Sequence, residues 1–171
     1  TGTETNNGSS YPNGNAGAVF VYGNNTKIIN TVFENNTASN DGAAMYIHGS
    51  GTIVENSTLT GNSAVNGTVY IEGSNTKITN SNFFNNTAEN GAGAYVEGAN
   101  TQITDSEASY NTAVCNGDPE HSGLGAGFHI IGDNAVFSNI TSKNNTADSE
   151  GGSIYVVGER TLVEDSLFAY N

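Results

Sequence analysis

The sequence predicts an all-β chain wound as a parallel β-helix, a solenoid of about six coils of ~25 residues. Near-copies of one stretch recur along it: "FENNTASNDGAAMYIHG" (33–49), "FFNNTAENGAGAYVEG" and "SKNNTADSEGGSIYVVG". Each apolar stretch closes on a glycine, at Gly23, Gly49, Gly73, Gly98, Gly132 and Gly158, with spacings of 26, 24, 25, 34 and 26 residues. Within that period the apolar residues alternate with period two, and no helical periodicity is present.

The elements follow in order along one coil. Four residues before each glycine stand Val19, Met45, Val69, Ala94, Phe128 and Ile154; two before stand Val21, Ile47, Ile71, Val96, Ile130 and Val156. Between them lie Phe20, Tyr46, Tyr70, Tyr95, His129 and Tyr155. This is a β-strand with aliphatics on one face and rings on the other. Five residues past the glycine come Ile28, Val54, Ile78, Ile103, Phe137 and Val163, and ten past it Phe33, Leu59, Phe83, Ala108, Ser142 and Phe168. Two further inward-facing strand positions are implied. Asn30, Asn56, Asn80, Asp105, Asn139 and Asp165 hold the position seven past, and thirteen past every coil has asparagine, from Asn36 to Asn171. Coils stacked one strand spacing apart, ~4.8 Å, superimpose these positions in a rod ~25–30 Å long. Aliphatic columns then make a core that no single coil could bury, and asparagine columns pass amide hydrogen bonds between coils.

Coil five checks the register. Ser142 takes the Phe position, but Ile140 stands two residues earlier where the other coils have Ser or Thr, returning the lost volume. Coil four has Ala108 with no evident replacement, which predicts looser packing there.

Composition excludes several function classes. Four basic residues (Lys27, Lys77, Lys143, Arg160) face seventeen acidic ones, a net charge of −13. Nucleic acid and anionic membrane, both bound through clustered Lys and Arg, are therefore not expected partners. One cysteine, Cys115, rules out an internal disulfide framework and a cysteine-built zinc site. No apolar run reaches the length of a membrane span, so direct membrane insertion by this stretch is not expected.

"FENN", "FFNN" and "FAYN" match an F-x-x-N motif, and "GAAMY", "GAGAY" and "GGSIY" resemble G-G-A-[ILV]. Alternating, they resemble the repeats of chlamydial polymorphic outer-membrane proteins and of the adhesin-like surface proteins of methanogenic archaea. The Asn/Thr-rich style of "NNTA" and "NNTKI" is nearer the archaeal group. Leu59, Ala108 and Ser142 depart from the Phe position, and most glycine pairs are incomplete. The resemblance covers the chain from Gly17 onward. It implies a right-handed parallel β-helix within a secreted or surface-anchored adhesin, located at the cell surface or outside the cell. Other cells, surface glycans or proteins, and neighbouring domains of the same chain are the implied partners. Residues 1–171 are read as a single segment of a longer surface protein, with 1–16 and 114–125 extruded as loops.

Candidate sites follow from these columns. The ring column is expected to form an outward strip. Tyr46, Tyr70, Tyr95 and Tyr155, with His48, Glu72 and Glu97 beside them, suit the apolar face and hydroxyls of a sugar or a protein partner. The plainer reading is that the stacked rings stabilise adjacent strands. Glu72 and Glu97 would sit ~5 Å apart, the separation of retaining glycosidases. They project side by side with no opposing wall and no basic neighbour, so polysaccharide cleavage is the alternative, with a structural envelope component as a third reading. The long interval, "VCNGDPEHSGLG", gathers Cys115, Asp118, Glu120 and His121, though their spacing matches no metal signature. Eight N-x-S/T sequons occur, at Asn7, Asn24, Asn35, Asn56, Asn66, Asn85, Asn139 and Asn144; Asn24, Asn66 and Asn144, near turns, are the better glycan acceptors. No cofactor is implied. Calcium is admitted only by the acidity, since no aspartate-glycine nonapeptide repeat is present.

Overall fold

The computed structural model describes residues 4–5, 14–118, 120 and 122–171. Among these there is no helix, and every ladder is parallel. Three six-stranded sheets run the length of the stack. The first joins Val19–Tyr22, Met45–His48, Val69–Glu72, Ala94–Glu97, Phe128–Ile131 and Ile154–Val157. The second runs from Lys27–Ile29 to Leu162–Glu164 and the third from Val32–Glu34 to Leu167–Ala169. A fourth ladder of two-residue strands carries the Thr-Ala pairs, such as Thr87–Ala88 on Thr112–Ala113. Strand partners are the predicted columns, for example Tyr46 on Tyr70 and Phe83 on Ala108.

The register holds because each corner is one residue with left-handed backbone. Asn25, Asn75, Asn100, Asn134 and Arg160 turn the chain from the first sheet to the second; Asn30, Asn56, Asn80, Asp105, Asn139 and Asp165 turn it to the third. Their φ values lie between 46° and 61°, a region where Asn and Asp are enriched because their short polar side chains bond locally. Asn35, Asn85, Tyr110, Asn144 and Tyr170 turn the chain again after the third sheet, and the first glycine of each G-G-A-like motif serves a further corner. At Gly42 (φ 69°) a Cβ would lie 2.4 Å from the Met45 carbonyl oxygen, and at Gly91 (φ 55°) 2.6 Å from that of Ala94. The motif is thus a demand for backbone room where the coil re-enters the first sheet.

Inside, the aliphatic columns form one continuous core. The thirteenth-position asparagines form a second, polar spine: Asn36, Asn62, Asn86, Asn111 and Asn145 are each at most 7% exposed. Asn86 Nδ2 donates to Asn111 Oδ1 at 3.0 Å and to the Leu59 carbonyl at 3.0 Å, while its Oδ1 accepts from the backbone N–H and the Nδ2 of Asn62, both at 3.0 Å. Asn86 is thus fully hydrogen-bonded, which offsets the desolvation cost of an amide inside the core.

Ile140 fills the core of coil five as its sequence position predicts, 1% exposed. Ser142 is fully buried and hydrogen-bonded to Ser153 Oγ at 2.6 Å and to Asn145 Nδ2 at 2.8 Å. The looser packing expected at Ala108 does not occur. Phe83, late in coil three, and Phe128, early in coil five, differ in height by about one and a half strand spacings, ~7 Å, and their rings meet edge-to-face with centroids 5.5 Å apart. Both lean into the space left by Ala94 and Ala108, and the missing volume is supplied from above and below.

The loop limits also shift. Within 1–16, Glu4–Thr5 is a strand paired with Thr37–Ala38 rather than part of a loop. In the long interval, Val114 is still bonded to Ala88, and the chain rejoins the stack at Gly123, whose N–H donates to Glu89 O at 2.7 Å. The extruded part is therefore shorter than 114–125.

Candidate functional site

The ring column lies on the outer side of the first sheet but does not form an exposed strip. Tyr46, Tyr70 and Tyr95 are only 8%, 7% and 8% exposed and, with Ala16, make a second apolar cluster. The arms that lead into each strand fold back beside the rings: a Cβ on Gly67 would lie 2.8 Å from Tyr95 Cβ, and one on Gly125 3.1 Å from Tyr155 Cβ. Period-two alternation separates the two sides of a strand. It does not say that the outer side is wet.

From Phe20 to Tyr95 the rings are stacked face to face, with centroid separations of 5.2, 5.0 and 5.0 Å and interplanar angles of 5°, 11° and 5°. Their hydroxyls end on the neighbouring acidic column. Tyr70 Oη donates to Glu97 Oε1 at 3.1 Å; burial, and then Glu72 beside Tyr46 and Glu97 beside Tyr95, push those two phenols above their ordinary range. Burial, and then Glu97, push the Tyr70 phenol above its ordinary range. Glu72 also takes His48 Nδ1, whose ring stacks on Tyr22 at 4.5 Å. Asp41 approaches the same rings, hydrogen-bonded to Asn66 Nδ2 at 2.9 Å, and burial raises its carboxyl above the usual range. The structure thus brings Tyr46, Tyr70, Tyr95, His48, Glu72 and Glu97 together as predicted. It spends their polar atoms on one another.

Above Tyr95 the arrangement changes. His129 takes the ring position and meets Tyr95 tilted at 58° (4.6 Å) and Tyr155 edge-on at 79° (4.9 Å). The acidic column ends, because Ile131 and Val157 replace the glutamates. His129 is 4% exposed, and neither ring nitrogen has a hydrogen-bond partner among the described residues. Burial in these apolar surroundings pushes its imidazole down to about 4. The long interval arches beside this part of the stack, and a cavity of ≈220 Å³ is lined by Asn90, Tyr95, Glu120, Leu124, His129, Ile131, Tyr155 and Val157. His129 stood in the sequence only as a member of the ring column. Its signal was the joint change at that height from Tyr to His and from Glu to Ile.

Within the interval, Asp118 and Glu120 are exposed and Cys115 is half-buried. Ser122 Oγ donates to the Cys115 sulfur (3.5 Å), and this hydroxyl, followed by the Gly117 N–H, lowers the thiol from its ordinary value. Asp118 Oδ1 accepts from the Glu120 N–H at 3.2 Å. His121 lies outside the described residues. Among those described, no three His, Cys, Asp or Glu side chains are grouped to hold a metal ion.

Of the sequons, Asn24 is exposed on a corner, with its Oδ1 accepting from Ser50 N–H. Asn144 is half-buried at a left-handed corner. Asn66 gives its amide nitrogen to Asp41 and accepts from Asn90, so a glycan there would break a rung.

A family model described as "Right handed beta helix region" matches residues 4–168. No curated protein and no solved structure matches the chain.

Proposed function

The chain belongs to the right-handed β-helix family, and from that premise we propose that it is an adhesin-like rod of the cell surface, which mediates or spaces attachment by glycan or protein recognition. One observation carries this reading: the rings and the asparagine amides of the repeat, with Asp41, Glu72 and Glu97, are engaged between coils. What remains outward is an acidic rod bearing the inserted interval between Val114 and Gly123. Such a rod is suited to holding a contact point away from a surface. Partners are other cells, their surface glycans or proteins, or neighbouring domains of the same chain.

The rival reading, polysaccharide cleavage, draws on Glu72 and Glu97, paired in adjacent strands. Glu97 already accepts the Tyr70 hydroxyl, and Glu72 pairs with His48. That occupation favours a structural use. The test is whole-cell and glycan-array binding by the 171-residue chain, with and without calcium, beside a variant in which residues 115–122 are replaced by a short Gly-Ser turn. Specific attachment lost in the loop variant supports recognition. Cleavage of any polysaccharide, abolished by Glu72→Gln with Glu97→Gln, would replace this reading with the enzymatic one.

A further inference from the structure

We propose that the cavity at His129 is a binding site for a single neutral sugar ring, the terminal or branch residue of a surface glycan. This deepens the attachment reading and rests on it.

Two independent features single out this place. One is the unpartnered imidazole: a neutral histidine offers one N–H donor and one acceptor, and here both are buried without a protein partner among the described residues. A native protein seldom leaves such groups unpaired without a functional reason. The other is the cavity beside it, ≈220 Å³, of whose lining that same residue is a part. It is smaller than the ~300–1,000 Å³ of a drug-sized site, so its occupant is one small ring rather than an extended chain.

The lining then selects the chemistry. Tyr95 and Tyr155 supply aromatic faces on either side of His129. Ile131, Val157 and Leu124 are apolar. A pyranose presents an apolar C–H face to such walls and a hydroxyl, itself a donor and an acceptor, to one imidazole nitrogen. Rotation of the imidazole about its χ2 bond turns a nitrogen toward the cavity. An anionic sugar is disfavoured, because Glu120 lines the site and the chain carries −13 overall. A quaternary amine would suit the aromatic walls but would leave both nitrogens unpaired.

The test is saturation-transfer NMR and calorimetry on the 171-residue chain with the methyl glycosides of glucose, galactose, mannose and N-acetylglucosamine, and with choline chloride as the cationic probe. His129→Phe keeps the ring and removes the nitrogens. Leu124→Trp fills the cavity from the opposite wall and leaves the ring column intact. At least one glycoside is expected to bind the native chain, with affinity reduced at least tenfold in both variants while far-UV dichroism is unchanged. Absence of glycoside binding, equal binding by His129→Phe, or binding of choline alone overturns the proposal. Cell attachment measured on the same samples separates the two readings. Attachment without glycoside binding discards this cavity and keeps the adhesin. Glycoside binding without attachment does the reverse.

Discussion

The lower and upper halves of the ring column are built from the same repeat and behave differently. Below, Phe20, Tyr46, Tyr70 and Tyr95 lie within 11° of parallel beside the acidic column, with the Tyr70 hydroxyl donating to Glu97. Above, His129 and Tyr155 are turned across the stack, the acids have become Ile131 and Val157, and a cavity opens. A repeated position can therefore be a stabilising element in one coil and a site in another. What separates them is whether each polar atom finds a partner one coil away.

The largest test of that contrast is Tyr70→Ala. It removes a buried ring stacked on both sides, together with the hydroxyl on Glu97, and is expected to cost ~3–5 kcal/mol, read as a shift of the urea midpoint. A loss under ~1 kcal/mol would mean that the lower stack is decoration. Acid titration reads the upper half. Because the folded imidazole sits at about 4 against ~6.5 unfolded, the unfolded chain takes up a proton between those pH values and the folded chain does not. His129 therefore destabilises the fold progressively as pH falls from ~6.5 to ~4, by up to about 3 kcal/mol, and contributes nothing of this kind above ~7. The difference between native and His129→Phe stability curves isolates the effect, and parallel curves over that window would refute it. The smallest change is Tyr70→Phe, which keeps the stack and deletes one hydroxyl bonded to a charged partner. A cost of ~1–2 kcal/mol, abolished when Glu97 is also replaced by Ala in a double-mutant cycle, would confirm the hydroxyl–acid pairing.

Most of the fold was legible because stacking makes each structural position a column in the sequence. Asn36 to Asn171 is a hydrogen-bonded ladder that can be seen by counting thirteen residues past each glycine. Column reading fails where an interaction leaves its own coil height. Ala108 looked like a defect because its volume comes from Phe83 and Phe128, residues of different columns in the coils on either side. The tyrosines looked exposed because the arms that cover them, Asp41–Gly42 and Asn66–Gly67, are polar and small, and nothing in their composition announces a path over the rings. The site at His129 is least legible of all. It depends on a cavity between the column and an insertion whose path no periodicity specifies.

The amide ladders also have a direction. In the buried spine each Nδ2 donates toward the C-terminal end, Asn62 to Asn86 and Asn86 to Asn111. Elsewhere the donation is reversed: on the surface Asn80 gives to Asn56, Asn100 to Asn75 and Asn134 to Asn100, and the buried Asn90 gives to Asn66. Aligned amides add their dipoles as peptide groups do in a helix, so a rod with every ladder pointing one way would accumulate an axial field with each coil. Here the inner and outer rows oppose each other. The electrostatic cost of adding a coil then stays nearly constant, and the array can lengthen without its ends becoming poles.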